Sequence, residues 1–176
     1  MPRVPVRRAD PGVLLIAVLS VIAWPGPARA GSSLEVGWMG TTDRRDAGNS
    51  LTLAARFGPM RPSTTGAELL LGTYGGFKGN TDAGWLGLIL DLDLAHAAGI
   101  AGGAAWSSRI GTTLLTAAGE GGGGLGAGFN AGVGMLAVPT SGVGVRADVG
   151  YRVVYSRGST GLLNVSLGVV WPGRTP

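Results

Sequence analysis

From Leu86 to Leu94 every second residue is leucine, and between them stand Gly87, Ile89, Asp91 and Asp93. A period of two sends alternate side chains to opposite faces of a β-strand, so one face of this segment is wholly leucine while the other carries two carboxylates. The pattern returns three times. Val143, Val145, Ala147, Val149, Tyr151, Val153 and Tyr155 alternate with Gly144, Arg146, Asp148, Gly150 and Arg152. Leu125, Ala127, Phe129, Ala131, Val133 and Met135 alternate with Gly126, Gly128, Asn130, Gly132 and Gly134, and Leu163, Val165, Leu167, Val169 and Trp171 alternate with Asn164, Ser166 and Gly168. Less regular segments at 34–40, 51–58, 67–77 and within 104–117 bring the expected count to eight strands.

Clusters of Gly, Pro, Asn, Asp, Ser and Thr at 41–49, 59–65, 79–82, 97–103, 119–124, 139–142 and 156–161 separate these segments. None is long enough for the crossover that parallel pairing requires, so the sheet is expected to be antiparallel throughout. The glycine-rich stretch 122–128 superficially resembles a phosphate loop. Neither lysine nor a helix follows it, and it is read as a hairpin loop leading into a strand.

The N-terminus has a different character. Arg3, Arg7 and Arg8 precede an apolar run from 13 to 24, which is short for a membrane span, and Pro25-Gly26-Pro27 then stops any helix. Ala28 and Ala30 supply the small pair that a signal peptidase needs, so residues 1–30 are expected to be a signal peptide and 31–176 the mature barrel domain. Its loss removes four arginines and one aspartate, leaving ten basic against nine acidic residues, a net charge of +1. The high pI of the whole chain is therefore no pointer to a nucleic-acid partner. Cysteine is absent, so the exported domain is expected to hold without disulfides.

Alternation does not say which face points inward; volume does. The interior of an eight-stranded barrel is just wide enough to be filled by side chains and cannot hold some forty large apolar ones, at roughly five per face per strand. The face of Gly, Ser, Asn and single charges fits there. Lipid is the environment that suits the leucine face, which implies an up-and-down transmembrane β-barrel. Arginine at Leu90 is then expected to be costly, and serine at lumen-facing Gly87 mild.

In this pattern the mature sequence resembles the small outer-membrane β-barrels of the OmpA and OmpX type. The likeness is most specific in the last strand, where Ser166, Gly168 and Trp171 match elements of the family's insertion signal. The terminal aromatic of that signal is replaced by residues 172–176. The resemblance implies residence in the outer membrane of a Gram-negative-type cell, with outer-membrane lipids, periplasmic chaperones and the barrel-insertion machinery as partners. It also implies periplasmic termini, with 59–65, 97–103 and 139–142 as periplasmic turns. Trp38, Tyr74, Phe77 and Tyr155 would then form an outer aromatic girdle, and Phe57 and Trp171 an inner one. Trp85 has the wrong parity for a girdle, and Trp106 lies too far from a rim.

The inward face collects Glu35, Arg56, Glu68, Asp91, Asp93, Arg109, Arg146, Asp148 and Arg152. Two arrangements are open: an ionic network that plugs the lumen, or charges solvated separately by lumen water. No catalytic residue, metal ligand or cofactor is expected. His96, the only histidine, has no serine or carboxylate at a spacing that suggests a triad, and Asp91 with Asp93 lacks a third ligand for a cation. A structural or interaction barrel is the expected role. A small pore and a lipid-modifying enzyme are the alternatives.

Overall fold

The structure, a computed structural model, describes residues 31–42, 49–77, 84–119, 122–139, 142–156 and 158–173. Eight strands follow one another: β1 (Gly31–Thr41), β2 (Asn49–Gly58), β3 (Thr64–Phe77), β4 (Gly84–Gly99), β5 (Ala104–Gly119), β6 (Gly122–Ala137), β7 (Gly144–Tyr155) and β8 (Ser159–Trp171). Each pairs antiparallel with its neighbour, and β1 pairs with β8, closing the barrel without a free edge. The even count brings Gly31 and Trp171 to the same end.

Several strands reach into residues read as turns: Asn49 opens β2, Thr64 and Thr65 open β3, and Ser159 opens β8. Residues 122–124 are strand, because Gly124 and Gly123 pair with Ala117 and Ala118 and the ladder holds even side-chain-free backbone extended. β4 runs on to Gly99 through residues expected to turn, and the turn is confined to the next four. There Ala104 N–H donates to Ala101 O at 2.9 Å, with Gly102 and Gly103 at φ 60° and 81°. Two successive left-handed residues suit a tight hairpin, and glycine adopts them without steric cost.

The alternation sorts the side chains as volume required. Every Asp, Glu and Arg within the strands is buried inside the barrel, whereas Leu92, Leu94, Ile110, Leu125, Phe129 and Leu167 are among the large apolar residues exposed outside. A soluble barrel places its charges the other way round. The lumen has no through-going core of one type: an apolar cluster lies toward each end, with the charged residues between. Met39, Leu70, Tyr74, Ile89, Leu115, Val154 and Leu162 pack at the end away from the termini. Met60, Ala97, Ala105, Leu136, Val138 and Val170 pack at the terminal end.

Candidate functional site

The lumen charges form a chain of contacts from wall to wall. Arg56, fully buried on β2, donates from Nε to Glu35 Oε1 on β1 at 2.6 Å and from Nη1 to Glu68 Oε1 on β3 at 2.5 Å. Arg146 on β7 reaches across to Glu68 Oε2 at 2.9 Å and binds Asp148 Oδ2 on its own strand at 2.5 Å. Arg109 on β5 pairs with Asp148, and its Nε lies 3.8 Å from Asp93 Oδ2. Seven residues are joined in this way. Asp91 and Arg152 form a separate pair at 2.5 Å, tied to the wall through Thr113 and Asn164.

If the charges pair, the sequence sets Arg56 between Glu35 and Glu68 and gives Arg146 and Arg152 together to Asp91, Asp93 and Asp148. The barrel has the Arg56 bridge, pairs Arg152 with Asp91 and Arg146 with Asp148, and adds the reach of Arg146 to Glu68 and the contacts of Arg109 with Asp148 and Asp93. Asp93 accepts from Asn130 Nδ2 at 2.9 Å. Neutral side chains complete the set: the Ser33 and Ser166 hydroxyls donate to the two oxygens of Glu35 at 2.9 and 3.0 Å. Buried charges are tolerable so far as their hydrogen bonds are filled in this way; among the described residues Asp93 Oδ2 is the carboxylate oxygen of the network left without one, 3.8 Å from Arg109 Nε.

The glycine wall makes room for these groups. A Cβ at Gly132 would stand 2.7 Å from Arg109 Cζ, and one at Gly168 would stand 2.7 Å from Glu35 Cγ. Glycine here is a spacing device, which answers why strands so rich in it persist. Gly87 has a different task. Tyr74, its register partner, points inward, lays its ring over Gly87 and donates its hydroxyl to Thr116 O at 2.8 Å.

Tyr74 is thus removed from the expected outer girdle. Trp38 and Tyr155 face outward near that rim, and Phe57 and Trp171 lie near the other. Trp106, read as too far from a rim, faces outward as the third residue of β5 and joins the terminal-end belt. The side chains of Phe77 and Trp85 lie outside the described residues, as do Ala28, Ala30 and the whole segment 1–30.

Of the insertion-signal residues, Ser166 and Gly168 face the lumen beside Glu35, while Trp171 faces out. His96 lies on the outer face of β4, with Nδ1 2.7 Å from Thr65 Oγ1. Among the described residues no three His, Asp or Glu side chains are grouped to hold a metal.

Sequence reasoning missed Met60. Carried by the 59–63 turn, it enters the lumen, is 1% exposed, and places Sδ 3.4 Å from Arg146 Nη1. A lone apolar residue in a Pro-Met-Arg-Pro turn was the available signal.

No family model matches the chain, and no curated protein matches it in sequence. Solved structures do match in shape. Neisserial surface protein A superposes with a TM-score of 0.65 at 12% identity, over 81% of this chain and 96% of that one. The N-terminal β-barrel domain of Pseudomonas aeruginosa OprF gives 0.49 at 12% identity, over 80% and 97% of the two chains. The attachment invasion locus protein Ail of Yersinia pestis gives 0.49 at 13%, over 81% and 99%. At such identity the likeness speaks for the fold alone, and the chain has the fold of the small eight-stranded outer-membrane β-barrels.

Proposed function

We propose that this chain is an outer-membrane barrel with a structural or interaction role, exported through residues 1–30 and oriented with its termini in the periplasm, whose lumen does not conduct. The observation that carries the reading is the ion-paired chain from Glu35 to Arg109, held between two apolar clusters. An ion entering the barrel would have to leave its hydration shell in an apolar constriction and then displace a guanidinium from its carboxylate. The outer face, free of Asp, Glu, Lys and Arg among the described strand residues, supports a lipid surround, since a hydrocarbon environment penalises charge and favours a closed barrel of paired backbone.

The test is electrical. Purified barrel inserted into a planar bilayer is expected to leave the membrane resistance near that of lipid alone. Steady, ion-passing channels in the unmodified protein would establish the pore instead. Heated and unheated samples on a detergent gel establish beforehand that the closed barrel has formed.

A further inference from the structure

Three polar side chains interrupt the apolar outer surface in a single row. Thr65 on β3, His96 on β4 and Ser108 on β5 are successive register partners, Thr65 with His96 and His96 with Ser108, and all three are exposed. Sequence spacing hides the row, because it draws on three strands. When the Thr65 hydroxyl donates to His96 Nδ1 across their 2.7 Å contact, the ring hydrogen sits on Nε2 and points away as a donor. The Ser108 hydroxyl stands beside it as a second.

This row forms one edge of a groove of about 630 Å³ across the outer wall. Apart from Arg109 and the Tyr151 hydroxyl, the rest of its lining is apolar, with Leu94, Ile110 and Ala131 along it. Its floor dips where Ala131 stands between its larger register partners Ile110 and Tyr151. From the polar row the groove runs away from the terminal end, toward the middle of the strands. Trp106 lies two residues nearer that end than Ser108, which at strand rise and barrel tilt is about 5 Å along the membrane normal. Interfacial tryptophans mark the headgroup level, so the row sits just inside it, where a lipid's polar backbone meets its acyl chains.

We propose that the Thr65–His96–Ser108 row and the adjoining groove are a seat for one glycerophospholipid of the leaflet at the terminal end. His96 Nε2 and the Ser108 hydroxyl donate to its phosphate and ester oxygens, and an acyl chain lies in the groove. Thr65 fixes the imidazole. The inference rests on the membrane-embedded reading above; a barrel in water would have no lipid to seat. Arrangement and occupant agree: donors at the depth of acceptors, an apolar trough leading toward the bilayer centre, and no acidic side chain in the row to repel a phosphate.

The sole histidine provides an isolated reporter. The folded barrel, made without a histidine tag and held in a non-ionic maltoside, is titrated with dihexanoyl-phosphatidylglycerol while the His96 imidazole is followed by NMR. A saturable shift is expected, with no comparable shift from dihexanoylglycerol, which lacks the phosphate, or from inorganic phosphate, which lacks the chains. Thr65→Val and Ser108→Ala should each weaken the apparent affinity at least three-fold, and Leu125→Ala, elsewhere on the outer face, should not. Either of the first two suffices should the other fail to fold. Equal response to dihexanoylglycerol or to inorganic phosphate, or unchanged affinity in the folded variants, would overturn the seat. The titration is blind to conductance, so channels together with intact binding would remove the non-conducting reading and leave this one standing.

Discussion

Arg146 and Glu68 are 78 residues apart in sequence and meet across the lumen at 2.9 Å. Their contact connects the Glu35–Arg56–Glu68 group on β1 to β3 with the Asp148–Arg109 group on β7 and β5. Arg146→Ala removes the link and leaves both its carboxylates short of a buried partner. Deleting one member of a buried pair costs about 3–5 kcal/mol, mostly the penalty of the charge left behind. Urea unfolding in lipid vesicles should show a loss of that size. If the charges matter for specifying one packing more than for net stability, the joint replacement Glu68→Leu, Asp148→Leu and Arg146→Met should recover much of the loss.

Glycines of the wall should differ sharply in tolerance. At Gly111 a Cβ would lie 2.2 Å from both Leu92 O and Asp93 Oδ1, so backbone as well as a lumen charge must shift. At Gly66 nothing lies within 4 Å. Gly111→Ala is expected to cost about 1–3 kcal/mol by overpacking, whereas Gly66→Ala should be neutral or slightly stabilising through the unfolded chain. The same vesicle unfolding measurement compares them, and similar behaviour of the two would discount the crowding.

What was legible in the sequence follows from where phase is marked. In β4 and β7 single charges alternate with apolar residues, and each inward residue could be assigned from parity alone. In β3 the inward Glu68 already gives Tyr74, six residues on, the inner face; placing Tyr74 in an outer girdle for its nearness to the rim conflicts with that parity, and the structure follows the parity. That error propagated: serine at Gly87 looked harmless, but a Cβ there meets Tyr74 Cε1 at 2.4 Å and Thr116 O at 2.0 Å. Gly87→Ser is therefore expected to disrupt packing. Partner choice among the charges is legible only between neighbouring strands, as for Arg56 between Glu35 and Glu68; Glu68 and Arg146 meet only once the barrel closes, a relation that no local spacing encodes. The Thr65–His96–Ser108 row was hidden for the same reason.

The two faces of β4 give a direct check on the surround. Leu90 faces outward between its register partners Leu71 and Leu114, near the middle of its strand. Leu90→Arg should cost about 2–4 kcal/mol in lipid if this level lies near the bilayer midplane. Arginine at Ile100, in the exposed turn at the terminal end, should cost about 0–1 kcal/mol at most, as befits a position at or beyond the interface. Folding yield and unfolding free energy in vesicles separate the two. Equal tolerance would mean that the leucine face does not meet hydrocarbon.

The apolar clusters at the two ends make a distinction between destabilising the lumen and opening it. Arg146→Ala empties space in the charged middle layer, but Met60 and its neighbours still pack at the terminal end, and Tyr74 with Met39, Ile89 and Leu115 at the other. Water crosses a narrow apolar constriction poorly, and an ion, which must shed hydration there, crosses it worse. Arg146→Ala alone should thus lose stability without gaining steady conductance. Met60→Gly withdraws a side chain that a turn inserts into the lumen, and since Met60 Sδ also lies beside Arg146 Nη1, the double variant joins the two vacated spaces. Leu115→Ala then thins the opposite cluster. Bilayer currents should stay at background for each single change and first rise above it when both ends and the middle are altered together. Current from Arg146→Ala by itself would show that the ion pairs alone close the lumen and that the apolar ends do not.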